Sequence, residues 1–299
     1  MTFDALEKVL RGVSVTTATP FTNDLSQIDA RGISTNLEFL KKNGVRLVIP
    51  CGNTGEFYSL SEMEWTQVVK STIEVCSGKV AVMPGVGQSI TTAIAMAKQA
   101  ESMGAEGVMI LYPQHVFSSE EGVLGYYRKV LDATKIGVVL YKKGPLLTDA
   151  VLKNLISYKN VVGVKYAFGR VVDFAYSVQT LGKRVIWSCG TAERFAPFYW
   201  LAGAEGFTSG LGNFAPKVSQ RMYDALKRND YAEAMKVQAM ITSFENLREG
   251  KGTANNVPVV KAVMDYLGLV GGECRPPIQS LSAAERKAAV DAVSTWGLK

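Results

Sequence analysis

Histidine is nearly missing from this chain of 299 residues: His115 is the only one. A metal site built on two or three imidazoles therefore lacks its ligands, and a Ser-His-Asp triad would have to use this single residue. The four cysteines, Cys51, Cys76, Cys189 and Cys274, lie far apart and form no C-x-x-C pair. Zinc frameworks and disulfide scaffolds both rely on short paired spacings, so buried reduced thiols are expected. No apolar stretch approaches the roughly 18 residues that span a bilayer. Residues 1–11 mix acidic and basic side chains without the apolar run of a signal peptide or anchor. The expectation is a soluble cytoplasmic protein with no membrane partner.

Clustered positive charge is also absent. The 33 Lys and Arg outnumber the 27 Asp and Glu for a formal charge of +6, but they are scattered singly and in pairs. A nucleic-acid footprint needs a stripe of such residues interleaved with aromatics. Nucleic acid is therefore not an expected partner, whereas a mild positive balance suits a small anionic substrate. With 47% apolar and 20% charged residues, disorder, collagen and coiled coil are excluded as whole-chain descriptions. The length suits two ordinary domains or one large α/β barrel with an appendage.

Short β-branched runs alternate with segments of helical period along most of the chain. Strands are expected at residues 13–17, 46–50, 80–83, 107–111, 137–141, 161–165, 184–187 and 206–209, with amphipathic helices at 30–42, 61–76, 90–103, 120–133 and 149–156. Eight apolar strands in β-α order predict an α/β fold, a parallel (β/α)8 TIM barrel. An internal echo fits that repeat: Met103-Gly104-Ala105-Glu106-Gly107 precedes the fourth strand and Ala202-Gly203-Ala204-Glu205-Gly206 the eighth. Gly after a helix supplies the left-handed cap. Beyond residue 228 the strand runs stop, and residues 231–248, 257–267 and 282–294 read as helices. The expected organisation is a barrel over residues 1–228 and a helical C-terminal extension over 229–299.

In such a barrel the reacting groups come from the C-terminal ends of the strands. Lys165 ends the apolar run Val161-Val162-Gly163-Val164. A lysine pointing into a dry interior loses its proton readily, and a neutral amine attacks a ketone to form a Schiff base. Snorkelling at the strand end, or pairing with Glu56, is the alternative. Tyr141 ends the neighbouring strand and could relay protons to the carbinolamine, or could simply be a buried, satisfied tyrosine. In Gly52-Asn53-Thr54-Gly55 the backbone N–H groups and the Thr hydroxyl could hold a carboxylate, against the alternative of a plain turn. The strand ends offer no cluster of Asp, Glu and His, so neither a metal nor a bound cofactor is expected.

Four segments agree in order with a known family: Thr17-Ala18-Thr19-Pro20-Phe21, Gly52-Asn53-Thr54-Gly55-Glu56-Phe57 with Ser59-Leu60, Gly163-Val164-Lys165, and Val257-Pro258-Val259-Val260-Lys261. They resemble the pyruvate-dependent class I aldolases and lyases, the family that includes dihydrodipicolinate synthase and N-acetylneuraminate lyase. The resemblance implies a covalent imine between Lys165 and a 2-oxo acid, Tyr141 as proton relay and Thr54 on the carboxylate. It further implies that Thr208 and Ser209, with Gly52 and Asn53, face the same ligand. It also implies a homo-oligomer, a dimer or a dimer of dimers.

The departures bear on the branch. Dihydrodipicolinate synthases carry an arginine shortly after the tyrosine, where this chain reads Tyr141-Lys142-Lys143-Gly144-Pro145-Leu146-Leu147. They carry two threonines where it has Asn53-Thr54, and a tyrosine pair where it has Pro113-Gln114-His115. Leu147-Thr148-Asp149, Thr191-Ala192-Glu193 with Phe195, Asn213-Phe214-Ala215-Pro216-Lys217 and Arg275-Pro276-Pro277 instead resemble 5-dehydro-4-deoxyglucarate dehydratases. The expected activity is dehydration and decarboxylation of that keto-deoxy sugar acid or a relative of it. The alternatives are a pyruvate-dependent aldolase or synthase-type condensation, and a non-catalytic barrel that binds an oxo acid. Lys142, Lys143 and Asn53 are the candidates to hold a second carboxylate.

Overall fold

The structure, a computed structural model, describes residues 3–76 and 78–298. Its strands are β1 (Val13–Thr16), β2 (Leu47–Ile49), β3 (Ala81–Val82), β4 (Gly85–Val86), β5 (Gly107–Ile110), β6 (Gly137–Lys142), β7 (Val161–Tyr166), β8 (Ile186–Cys189) and β9 (Gly206–Ser209). Its helices are α1 (Phe3–Leu10), α2 (Ala30–Lys42), α3 (Glu62–Cys76), α4 (Ile90–Met103), α5 (Glu120–Asp132), α6 (Asp149–Leu155), α7 (Val171–Leu181), α8 (Ala196–Leu201), α9 (Pro216–Lys227), α10 (Tyr231–Arg248), α11 (Asn256–Tyr266) and α12 (Ala283–Asp291). Each expected strand is present. The third, expected over 80–83, is present as β3, and a further short strand, β4, follows Pro84, which has no N–H to give to a ladder. Pro84 still accepts from the N–H of Met109 at 2.9 Å, so pairing continues through its carbonyl.

The chain packs as two compact units, one of Ala81–Thr208 with the residues up to Ser14, the other of Val15–Val80 with the residues from Ser209 onward. In the first, β4, β5, β6, β7, β8 and β9 are hydrogen-bonded neighbours in that order, all parallel. Every residue of β5 to β9 is buried, as expected of strands covered on both faces. Helix α1 closes the N-terminal ends of these strands. A Cβ at Gly107 or Gly137, the first residues of β5 and β6, would lie 2.6 Å from Leu6 Cδ2, so only glycine admits the helix that closely. The two echoed turns are built alike. Gly104 and Gly203 have φ of 88° and 106°, Ala105 and Ala204 donate back to Ala100 and Tyr199, and Glu106 and Glu205 donate to Val82 and Trp187.

In the second unit a buried amide holds the end of β1 and the residues after it: Asn213 Nδ2 donates to Thr16 O at 2.9 Å, and its Oδ1 accepts from Ala18 N at 2.9 Å. Helices α10, α11 and α12 coincide, to within a few residues at the ends, with the three expected C-terminal helices. Around α11 an ion pair is wholly enclosed. Lys261 Nζ lies 2.5 Å from Glu56 Oε1, with side chains 1% and 0% exposed. Glu56 Oε2 accepts the Arg275 N–H at 3.0 Å, and Lys261 Nζ donates to Glu273 O at 3.0 Å. The Arg275 guanidinium sits 4.2 Å from the Phe21 ring centroid and grips Glu64 through Nη1 and Nη2 at 2.9 and 2.6 Å.

Removing one partner of such a pair strands the other charge in a dry interior. Glu56→Gln is expected to cost about 3 kcal/mol or more of stability, read as a lower urea midpoint, and Glu56→Gln with Lys261→Met is expected to recover most of the loss. An unchanged midpoint in the single variant contradicts the assignment of this pair.

Candidate active site

The strand ends of the first unit carry the candidate chemistry. Sequence makes β6 (Gly137-Val138-Val139-Leu140-Tyr141-Lys142) and β7 (Val161-Val162-Gly163-Val164-Lys165-Tyr166) almost wholly apolar until their last two residues. Val138 pairs with Val161, but Val139 pairs with Gly163, so Val162 is an extra residue in β7. This bulge advances the register by one, and beyond it Tyr141 stands opposite Lys165 and Lys142 opposite Tyr166. Side chains alternate along a strand, so Tyr141 and Lys165 share one face while Lys142 and Tyr166 share the other.

On the first face the Lys165 ammonium group lies 4.2 Å from the Tyr141 ring centroid. The two residues are 5% and 4% exposed. Among the described residues Lys165 Nζ has neither an ion pair nor a hydrogen-bond partner. Glu56, the alternative partner considered from sequence, is paired with Lys261. Burial penalises the charged amine, and repulsion from Lys143 adds to this, so the Lys165 pKa falls to about 7. Ser188 of β8 stands beside Lys165 in register. The Cys189 thiol that follows is pushed up to about 12 by burial and stays protonated near neutrality.

On the other face Lys142 Nζ donates to Leu147 O and lies 5.3 Å from the Tyr166 ring centroid. Tyr166 Oη is 3.4 Å from Ser177 Oγ, which donates to Asp149 Oδ1 at 2.7 Å. Lys142 is thus committed to holding the loop after β6. Of the three candidates for a second carboxylate it is the one engaged away from the Lys165 face.

The remaining expected site residues divide between the units. Thr208 in β9 is buried in the first, its Oγ1 3.5 Å from Cys189 O. Ser209 belongs to the second, where its Oγ accepts from Gly212 N at 2.7 Å and lies 3.1 Å from Ser219 Oγ. Gly52, Asn53 and Thr54 also lie in the second unit, in a turn closed by Glu56 N to Asn53 O at 3.1 Å and Phe57 N to Gly52 O at 3.3 Å. Thr54 is buried and Asn53 half-buried. Gly55 meets Thr17 O, which a Cβ would approach to 2.8 Å, so the turn follows β1 closely. Gln114 and His115 are exposed, and His115 Nδ1 accepts the Phe117 N–H at 3.1 Å. The four cysteines are all buried thiols, none of them in a disulfide. Among the described residues no three His, Cys, Asp or Glu side chains are grouped to hold a metal ion, and no helix is long and apolar enough to cross a membrane.

Residues 9–295 match the profile of the dihydrodipicolinate synthetase family. The chain belongs to that family. A probable 5-dehydro-4-deoxyglucarate dehydratase of Bacillus subtilis is 32% identical over 280 residues, 91% of this chain and 90% of the relative. A 4-hydroxy-tetrahydrodipicolinate synthase of Methanosphaerula palustris is 31% identical over 96% of this chain and 100% of the relative. Among solved structures, dihydrodipicolinate synthase from Bacillus clausii superposes with a TM-score of 0.94 at 36% identity, covering 97% of this chain and 99% of that one. The enzyme from Oceanobacillus iheyensis gives 0.95 at 34% identity over the full length of both. These likenesses bear out the (β/α)8 barrel class with its C-terminal helices, and with the family they make the protein an enzyme of the lyase class.

Lys165 carries a pH dependence whose sign is fixed. Its pKa is lowered, so the amine is protonated below about 7 and neutral above. Imine formation with pyruvate, quenched by borohydride at early times, is expected to quicken with rising pH through about 7 and then level off. A midpoint near the ordinary lysine value of 10.5 contradicts the buried, unpaired amine.

Proposed function

We propose that this family member is a Schiff-base lyase of a sugar-derived 2-oxo acid, removing water and carbon dioxide from 5-dehydro-4-deoxyglucarate or a close relative. The observation that carries the proposal is the buried Lys165 amine, held near neutrality against Tyr141 with no carboxylate to fix its charge. Neutral Lys165 attacks the keto carbon, and the carbinolamine loses water to give an imine. Tyr141 moves the protons of these steps. The imine accepts the electron pair left when the α-proton departs, and the resulting enamine expels the β-hydroxyl as water. Decarboxylation at the far end returns an electron pair to the conjugated system, and hydrolysis frees Lys165 with 2,5-dioxopentanoate. The net loss is one water and one carbon dioxide, and no cofactor beyond the lysine is required.

Thr54 with Gly52 and Asn53 is assigned to the carboxylate next to the imine by resemblance, as are Thr208 and Ser209 to the same ligand. The dehydratase branch is favoured by the absence of an arginine in Tyr141-Lys142-Lys143-Gly144-Pro145-Leu146-Leu147 and by the name of the Bacillus subtilis relative. Condensation of pyruvate with an aldehyde is the second reading, favoured by the names of the two solved structures. We further propose that the enzyme works in the cytoplasm as a homo-oligomer, a dimer or a dimer of dimers.

Lys165→Ala is expected to abolish turnover, and Tyr141→Phe to lower kcat by about 10²–10⁴-fold. With 5-dehydro-4-deoxyglucarate the wild-type enzyme is expected to release carbon dioxide while a pyruvate-coupled assay stays silent. Pyruvate release would instead mean retro-aldol cleavage, and pyruvate consumption with an aldehyde would mean condensation.

A further inference from the structure

We propose that Lys143 is the specificity residue of this site, taking the far carboxylate of an oxo diacid whose keto end is bound at Lys165, and so favouring diacids over pyruvate. The proposal rests on the imine reading above and deepens it by naming the substrate class.

Two lysines follow Tyr141, and the structure separates their uses. Lys142 is on the helix side of β6, bonded to Leu147 O and seated against the rings of Tyr166 and Phe168. Lys143 is the next residue after the strand and is exposed. It lies two residues beyond Tyr141, about 7 Å further along the chain toward the strand-end side. Tyr141 is itself the register partner of Lys165, so Lys143 follows directly on the strand end that carries the candidate pair. Among the described residues no carboxylate forms an ion pair with Lys143.

The backbone that carries Lys143 is held on both sides. Before it, Lys142 is clamped to Leu147 O. After it, Gly144 lies flat on the Tyr112 ring, where a Cβ would come within 2.3 Å of the ring carbons. The Leu146 N–H donates to the same tyrosine's hydroxyl at 3.3 Å. A loop held on both sides limits how far the backbone bearing this cation must reorganise to meet an anion. Lys143 also lies close enough to Lys165 for its charge to depress the buried amine. One cation thereby adds to the effect of burial on the nucleophile and attracts the second anion.

The test compares two probes that both carry a 2-oxo acid end, pyruvate and 2-oxoglutarate, by the concentration that gives half-maximal borohydride-trapped adduct. Wild type is expected to trap 2-oxoglutarate at the lower concentration. Lys143→Met is expected to raise that concentration about tenfold or more, as loss of a charge-assisted contact does, while leaving pyruvate nearly unchanged. It is also expected to move the pH midpoint of trapping above that of wild type, a readout that a loss of folding does not imitate. Lys143→Arg is expected to keep the preference. Equal effects on both probes, or none, would overturn the proposal. A preference for 2-oxoglutarate that Lys143→Met abolishes, in an enzyme that does not dehydrate 5-dehydro-4-deoxyglucarate, would support Lys143's role while overturning the dehydratase reading. No adduct with either probe would overturn both.

Discussion

The register between β6 and β7 is the constraint on which the candidate site depends. With Val138 opposite Val161, an unbroken ladder would set Tyr141 against Val164. The extra residue at Val162 sets it against Lys165 instead. Because alternate residues point to opposite faces, a single step of register decides which side chains share the environment of the amine. The apolar runs on either side then determine its chemistry. They exclude water, so the charged form is disfavoured and the lysine becomes a nucleophile near neutral pH.

The same alternation separates catalysis from support. One face of the two strands holds Tyr141 and Lys165, while the other holds Lys142 and Tyr166 in a polar cluster with Ser177 and Asp149. That cluster fixes the loop after β6 without touching the amine. At the N-terminal ends of the strands α1 presses on Gly107 and Gly137, so packing occupies one end and leaves reactive groups to the other. In the second unit a different device anchors a strand-end turn: Glu56 and Lys261 form a buried pair braced by Arg275. It accounts for two residues that the family resemblance singles out and that the imine chemistry does not use.

Much of this was legible in the sequence because it is local. The β-branched runs marked the strands, and a lysine ending Val161-Val162-Gly163-Val164 marked a buried amine. The glycine of each echoed turn marked a left-handed cap, which Gly104 and Gly203 both adopt. The break between β3 and β4 also has a signal in Pro84. The Val162 bulge had none, since valine is at home in a regular strand as well. The pairing of Glu56 with Lys261 was equally hidden, being a contact between distant segments with no periodicity to reveal it. The engagement of Lys142 away from the amine follows from strand parity, but only once Tyr141 and Lys165 are known to share a face.

The central claim is that Lys165 is the one amine of this chain that attacks a 2-oxo acid. Its most direct test is peptide mapping after borohydride reduction in the presence of 5-dehydro-4-deoxyglucarate or pyruvate at neutral pH. The expected result is a single reduced adduct per chain, on the peptide containing Lys165, absent when Lys165 is replaced by alanine. An adduct on Lys142 or Lys143, or spread over exposed lysines, would contradict the account.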